Sequence, residues 1–424
     1  MVVDTEANFY SYLKNKNQYD AQTKACIERT VEKLNKETTS ANKPGMLLGK
    51  IQSGKTRTFI GIMGLAYDNG FDIVIILTKN SNALAKQTYE RLLSEFRERV
   101  SDDDMRVFDI MTLPDNLRKW ELSQKLALVV KKETKNMDRI FKALFETYPD
   151  LSQKRILFID DEADFASVAF EHNKESEIID MRVIAKKIDN LRQQLPYASF
   201  LQVTATPYSL YLQPDDMSIH EHKVFQPIRP AFTELVPIHD RYVGGEMYFE
   251  ESEEEGHMAS YLYEEVKEKE LTVLKKPDRR RIKNNEMLTS AAVESIRKAV
   301  VNFIVGSCLR RWQQRETGRK QKKYSFIVHT ERGKAAHAWQ EQIVIEIEEQ
   351  LREAAISKMD VFYSLVEEAY YDLIQSISTL DLVQPTLKQI VDEVQEALIN
   401  EYLIISIVNS EKDVNELLDE TGQL

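Results

Sequence analysis

Cysteine and long apolar runs are almost absent from this 424-residue chain, and each absence excludes a class of protein. Only Cys26 and Cys308 occur, which is too few for a disulfide framework or a cysteine zinc site. No apolar run approaches the roughly 20 residues that span a bilayer, and the acidic N-terminus lacks the apolar core of a signal peptide. We therefore expect a cytoplasmic protein with no membrane partner.

Positive charge is also scarce. The chain carries 57 Lys and Arg against 69 Asp and Glu, a net charge of -12, so no global positive field favours binding to nucleic acid. Any nucleic-acid contact must come from local basic patches. The content of 42% hydrophobic and 30% charged residues is typical of globular proteins, and the length predicts two or three domains.

Short apolar runs alternate with helical patterns in the first half of the chain. Strands are predicted at 46–48, 71–78, 125–132, 155–164 and 198–207, and helices after Thr56, over 82–100 and over 182–195. The run FDIVIILT is nearly continuous and β-branched, as in strands buried on both faces. This alternation predicts βαβ units and a doubly wound parallel sheet.

The second half has a different composition. Prolines cluster at Pro214, Pro227, Pro230 and Pro237, and a charged, mainly helical stretch follows. The segments YSFIVHT at 324–330 and YLIISIV at 402–408 have the composition of strands, with helical spacing between them. We predict a helical region at 1–44, an α/β domain at 45–235, a charged helical insert at 236–322 and further α/β structure at 323–424.

Residues 49–56 read GKIQSGKT and match G-x-x-x-x-G-K-[ST] at every fixed position. A predicted strand precedes the match and a predicted helix follows it, which is the context of a phosphate-binding loop and not of a chance turn. Lys55 is predicted to reach the β- and γ-phosphates and Thr56 to hold Mg²⁺. The residues predicted to bind nucleotide are Gly49, Gln52, Ser53, Gly54, Lys55 and Thr56.

A second candidate element is the predicted strand RILFIDDEAD at 155–164, which ends in a group of carboxylates. Mg²⁺ prefers carboxylate, water and phosphate oxygens. We predict Asp161 as the metal ligand, with its neighbour Asp160 as the alternative. Glu162 is predicted to be the general base that polarises the attacking water, so that Glu162 and Lys55 are the catalytic residues.

These motifs resemble those of helicase superfamily 2, the DEAD-box-like ATPases. Residues 49–56 resemble motif I, residues 161–164 spell the D-E-A-D of motif II, and residues 77–88 resemble motif Ia. Thr204 and Thr206, in the sequence TAT, resemble motif III, which couples the nucleotide site to the nucleic-acid groove. The resemblance covers about residues 45–210. More narrowly, the motifs are similar to bacterial helicase-like ATPases found near restriction and phage-defence genes.

The resemblance implies a RecA-like P-loop NTPase domain, a helical region and a partial second RecA-like lobe. It implies ATP and Mg²⁺ as cofactors, and nucleic acid as a partner, with DNA favoured over RNA. Thr78, Gln87 and Lys131 would contact nucleic acid, and Lys132 is a further candidate. The expected function is that of a helicase-like ATPase in defence or DNA processing. The alternative is an ATP-gated regulatory subunit that controls a partner nuclease without unwinding.

The chain departs from the family in several places. Only Gln18 and Gln22 are candidates for a glutamine motif, and neither a motif V nor an arginine-rich motif VI follows the second predicted α/β segment. We therefore expect a chain that is truncated or a natural remnant and that hydrolyses ATP slowly. Two basic clusters, at 275–283 and at 310–323 with Trp312, are either nucleic-acid contacts or solvated surface.

Overall fold

The computed structural model describes most of the chain. The described residues are 3–40, 43–162, 184, 187–188, 190–191, 194–206, 230–240, 242–261, 265–275, 286–331, 333–380 and 382–408. Contacts between Cα atoms divide the chain into two units, Met1–Tyr242 and Val243–Leu424. The division falls a few residues beyond the predicted boundary at 235/236.

The first unit is built on a parallel sheet, as the alternating pattern predicts. The strands are β1 (Gly45–Leu48), β2 (Ile73–Thr78), β3 (Met105–Asp109), β4 (Lys125–Lys131), β5 (Ile156–Asp161), β6 (Ala198–Thr204) and β7 (Phe232–Leu235). They lie in the order β3-β4-β2-β5-β6-β1-β7, and every adjacent pair is parallel. The helices are α1 (Asn8–Asn17), α2 (Ala21–Lys36), α3 (Lys55–Asp68), α4 (Asn82–Glu95), α5 (Arg97–Ser101), α6 (Lys119–Ser123) and α7 (Thr134–Phe141).

Alternation along the strands separates two apolar cores. Val74, Ile76, Leu157 and Ile159 pack with α1, α2 and α3 on one face, which we call the α3 face. Ile73, Ile75, Ile156 and Phe158 pack with α7 on the other, the α7 face. The predicted helix over 182–195 also has its stripe on the α7 face, where Ile184, Ile188, Leu191 and Leu195 are buried. Because side chains alternate between faces, strand position determines the face on which each polar residue lies.

The sequence patterns did not predict the two edge strands, β3 and β7. In β3 only Met105 and Val107 are buried, so its short, mixed sequence lacks the continuous apolar run seen in β2. β7 lies within the proline cluster, between Pro230 and Pro237, and it pairs with β1 from Gly45↔Phe232 to Leu48↔Leu235. An edge strand needs less apolar sequence, because one side of it has no neighbouring strand.

The regular secondary structure in the described part of the second unit is helical. Its helices are α8 (Gly245–Phe249), α9 (Glu268–Lys275), α10 (Glu294–Glu316), α11 (Lys334–Ile356), α12 (Asp360–Ser378) and α13 (Leu387–Ile399). Residues of α9 to α13 share one apolar core. Within it, the Trp339 indole donates a hydrogen bond of 2.9 Å to the Val273 carbonyl, so that α11 holds the end of α9. α8, α9 and α10 lie within the region 236–322.

The strands predicted at 324–330 and 402–408 are wrong. Both segments lack regular secondary structure, and neither pairs with a strand among the described residues. Val328 and Leu403 instead pack against the helical core, whereas Ile327 and Ile404 are exposed. An apolar, β-branched segment can pack on helices as well as lie in a sheet. The described residues from 323 onward therefore contain no second sheet.

Part of the basic cluster at 310–323 is engaged within the second unit, whereas Arg319, Lys320, Lys322 and Lys323 are exposed. Trp312 is buried and is therefore not available to stack on a base. Arg310 donates to the Gln313 side chain, and Arg315 forms an ion pair with Glu393. Apart from Lys275, the cluster at 275–283 lies outside the described residues. No helix in the described part of the chain is long and apolar enough to cross a membrane.

The buried carboxylate of Glu270 fixes the start of α10. It accepts hydrogen bonds from Ser295 N, from Ser295 Oγ at 2.7 Å and from Ile296 N at 3.3 Å. Free N–H groups at a helix N-terminus favour a negative charge. Glu270 therefore satisfies donors that are otherwise left unpaired in the core of the second unit.

We predict that Glu270→Gln lowers the free energy of unfolding of the second unit by about 1–3 kcal/mol, because an amide replaces an acceptor-only carboxylate beside buried donors. Denaturation followed by tryptophan fluorescence measures the loss, since Trp312 and Trp339 lie in this unit. The exposed Glu268 on the same helix supplies the control, Glu268→Gln. Equal losses in the two variants would contradict the capping role.

Candidate functional site

Four strands end at one edge of the sheet, and most of the predicted site residues follow those ends. β1 leads into Gly49, β5 ends at Asp161, β6 ends at Thr204, and β4 ends at Lys131. Because all the strands are parallel, their carboxyl ends share this edge, where open α/β sheets bind ligands. The arrangement brings together the glycine-rich loop and the carboxylates, which lie more than 100 residues apart in sequence.

The glycine-rich loop has the backbone of a phosphate cradle. Gly54 has φ +92° immediately before α3, and Gln52 has φ +59°. A Cβ atom on Gly49 would lie 2.7 Å from Ser53 Oγ and 2.8 Å from Lys55 Cγ. Glycine is thus required at 49 by close approach and favoured at 54 by backbone conformation. The loop opens onto the N-terminus of α3, where free N–H groups favour an anion.

Two side chains of the loop test whether this cradle fits a phosphate group. Ser53 Oγ is buried and has no hydrogen-bond partner in the part of the chain that the structure describes. The Lys55 ammonium folds back over the loop, donating to the Lys50 carbonyl at 2.9 Å and the Gly49 carbonyl at 3.4 Å. A buried hydroxyl without a partner and a cation held above the cradle are both suited to a phosphate oxygen. The loop therefore fits the predicted ligand.

A backbone hydrogen bond joins the loop to the end of β6. Gly49 N donates to the Thr204 carbonyl at 3.1 Å, which extends the β1–β6 ladder by one step. Thr204 is buried, and its hydroxyl accepts from Thr206 N at 3.1 Å. The two threonines predicted to couple sites thus form a turn that contacts the phosphate loop. Pro207, the next residue, lies outside the described residues.

The neighbouring acids at the end of β5 face opposite sides of the sheet. Leu157 and Ile159 lie on the α3 face, so alternation places Asp161 there as well, on the side of the phosphate loop. Asp160 falls on the α7 face, where its carboxylate lies 2.6 Å from Lys132 Nζ. This geometry favours Asp161 over Asp160 as the metal ligand. Ala163 and Asp164, the rest of the D-E-A-D sequence, lie outside the described residues.

Electrostatics at Asp161 favour a nearby cation. Burial and the charge of Glu162 raise the pKa of Asp161 to about 6, although Lys132 lowers it. Glu162 follows in a left-handed conformation with φ +52°, and its N–H donates to Asp161 Oδ1 at 3.1 Å. No three acidic, histidine or cysteine side chains among the described residues form a metal cluster. The Asp161 carboxylate is the kind of oxygen ligand that Mg²⁺ takes together with water and phosphate oxygens.

The residues predicted to contact nucleic acid differ in exposure. Gln87 is exposed on α4, whereas Thr78 is only 3% exposed. Lys131 donates to Asn82 Oδ1 at 2.7 Å and forms a 3.1 Å ion pair with Glu133. Lys132 is 6% exposed and its ammonium group points into the sheet edge, which contradicts its prediction as a backbone-phosphate contact. Gln87 alone of these four is freely placed to meet a ligand.

Tyr242 contacts the phosphate loop and has no sequence signature. Its hydroxyl donates to the Ile51 carbonyl at 2.6 Å, and Lys50 Nζ lies 5.8 Å from the centre of its ring. It lies 191 residues beyond its partner, in a loop with no motif. Of the two glutamine-motif candidates, Gln22 lines an open cavity of about 440 Å³ together with Arg29 and Pro237. Gln18 ends α1 in a left-handed conformation.

Comparison with known proteins gives one family match. A family model described as the Z1 domain matches residues 295–421. The match covers a minority of the chain and lies in the second unit, beginning one residue after the start of α10. No curated protein matches the chain significantly. The phosphate loop and the acidic strand end lie outside the matched region.

Proposed function

We propose that the chain is a helicase-like ATPase with a RecA-like P-loop domain, which binds ATP and Mg²⁺ and acts on nucleic acid. The observation that carries the proposal is the phosphate loop joined to the end of β6, with Asp161 on the same face of the sheet. The Z1 match adds support, since that domain is associated with helicase-like defence proteins. The proposed setting is bacterial defence or DNA processing.

In the proposed mechanism the residues of the loop have separate tasks. Backbone N–H groups of the loop and of the first turn of α3 bind the phosphate chain. Lys55 leaves the carbonyls that it contacts and pairs with the β- and γ-phosphates, while Thr56 and Asp161 would hold Mg²⁺. The metal, when bound, offsets the negative charge on the phosphates. Glu162 accepts a proton from the attacking water.

Lys55→Ala tests the nucleotide site. Loss of the cation is expected to weaken ATP binding at least about tenfold, on the order of 1.4 kcal/mol, without unfolding the protein. Titration of a fluorescent ATP analogue measures the affinity, and circular dichroism checks the fold. Lys36→Ala removes an exposed lysine of equal charge from α2 and should leave the affinity unchanged. Unaltered affinity in folded Lys55→Ala would rule out the phosphate site.

A second candidate is an ATP-gated regulatory subunit that controls a partner nuclease without unwinding. The observation in its favour is that several of the residues predicted to contact nucleic acid are buried or paired within the chain. Thr78 and Trp312 are buried, and Lys131 and Lys132 pair within the chain. A regulatory subunit needs the nucleotide site and a responsive surface, but it needs no groove for a translocating strand.

ATP hydrolysis with and without nucleic acid separates the two functions. A motor is expected to accelerate many-fold when single- or double-stranded DNA is added, and less with RNA, because strand binding completes its catalytic site. A regulatory subunit is expected to bind ATP with no such response. Glu162→Gln, which keeps the side-chain shape and lacks the base, supplies the background rate. Turnover in Glu162→Gln that matches the parent would show that Glu162 is not the general base.

A further inference from the structure

Lys132 occupies a position that none of the motifs accounts for. It follows the last residue of β4, and its N–H extends the ladder to β2 by donating to the Thr78 carbonyl at 2.9 Å. Its side chain runs across the end of β2 to reach β5, the next strand in the sheet. The residue is thus anchored at its backbone on one strand and at its ammonium group on another.

The ammonium group meets three oxygen atoms at the end of β5. It lies 2.6 Å from Asp160 Oδ1 in an ion pair, and it donates to the Asp161 carbonyl at 2.8 Å and the Glu162 carbonyl at 3.2 Å. An ammonium group has three N–H donors; two hydrogen bonds run to the carbonyls, and the contact with Asp160 is an ion pair. The lysine and Asp160 side chains are each 6% exposed, which leaves no room for a phosphate of a nucleic acid.

Those two carbonyls belong to the residues proposed to bind Mg²⁺ and to activate water. The chain leaves the ladder here, since the last pair between β5 and β6 is Asp161↔Val203. It then turns through Glu162 at φ +52°, a conformation that is uncommon for residues other than glycine and needs support from its surroundings. The hydrogen bonds from Lys132 provide that support on the side of the sheet away from the phosphate loop.

We propose that Lys132 is a positioning residue for ATP hydrolysis, which holds the turn at Asp161 and Glu162 from behind through their backbone carbonyls. The inference rests on the proposed function, because it assigns a role within the same site. The competing explanation is that Lys132 only neutralises the buried charge of Asp160. The two explanations differ in what happens when Asp160 is made neutral.

A double-variant cycle separates them, with Lys132→Met, Asp160→Asn and both changes together. Lys132→Met alone leaves a buried carboxylate without its partner, so a marked loss of thermal stability is expected. Adding Asp160→Asn removes that charge and should restore most of the stability. The double variant therefore gives a folded protein that lacks only the lysine contacts. Lys125→Met is the matched control, because Lys125 pairs with Asp72 and donates to a carbonyl at the other end of β4.

Three quantities are measured on the whole chain: the affinity for ATP, the single-turnover rate of hydrolysis with protein in excess, and the Mg²⁺ concentration that half-saturates ATP binding. In the double variant we expect ATP affinity at saturating Mg²⁺ close to that of Asp160→Asn. Hydrolysis should be about tenfold slower or more, because misplacing a catalytic group by about 1 Å costs up to roughly 10² in rate. The half-saturating Mg²⁺ concentration should rise, because Asp161 is also displaced.

Equal rates and equal Mg²⁺ requirements in the double variant and Asp160→Asn would overturn the positioning role. If the parent binds ATP without measurable turnover, the test rests on the half-saturating Mg²⁺ concentration alone, compared between the double variant and Asp160→Asn. Failure of the parent to bind ATP would instead overturn the proposed function, and this inference with it. A rate loss in Lys125→Met as large as in the double variant would show a general effect of altering β4, and would also contradict the proposal.

Discussion

The hydrogen bond from Gly49 N to the Thr204 carbonyl is the constraint on which the candidate site depends. It carries the β1–β6 ladder one residue beyond β1 and so fixes where the glycine-rich loop begins. Between Gly49 and α3 the backbone has little conformational freedom. Gly49 has close neighbours, and Gly54 adopts a left-handed conformation. A loop held in this way needs little reorganisation to accept phosphate, which favours binding.

The same sheet edge separates neighbouring negative charges. Three acidic residues in a row, at 160–162, repel one another unless cations offset their charge. Alternation sends Asp160 to the α7 face, where Lys132 supplies an internal cation. Asp161 lies on the α3 face, where burial and the neighbouring charge of Glu162 raise its pKa to about 6. The sheet thus places Asp160 in an internal ion pair and leaves Asp161 as the proposed metal ligand.

Sequence patterns predicted the features that are local in the chain. The continuous apolar runs of β2 and β5 and the spacing of the glycine-rich loop depend on a few adjacent residues, and both agree with the structure. The pairing of Lys132 with Asp160 depends on the strand order β4-β2-β5, and the contact of Tyr242 with Ile51 spans most of the first unit. Neither can be read from spacing. Nucleotide and metal binding at the loop remain predictions.

The segments at 324–330 and 402–408 show a different limit. Their apolar, β-branched sequences resemble those of strands, but a strand also requires a partner for its backbone hydrogen bonds. In the described residues the partners of Val328 and Leu403 are helical side chains. Local composition predicts which residues are buried, but it does not predict whether helices or strands cover them. The described part of the predicted second lobe has no sheet for this reason.

Amide hydrogen exchange with and without ATP and Mg²⁺ tests the central claim most directly, because it locates the nucleotide without relying on turnover. We predict that amide exchange at residues 50–56 and at 161–162 is slower with ATP and Mg²⁺ than without them, because ligand contacts would restrict local opening. Exchange in α10 to α13 should change little. Protection confined to the second unit, or none at the loop under conditions where ATP is bound, would contradict the assignment of the phosphate site.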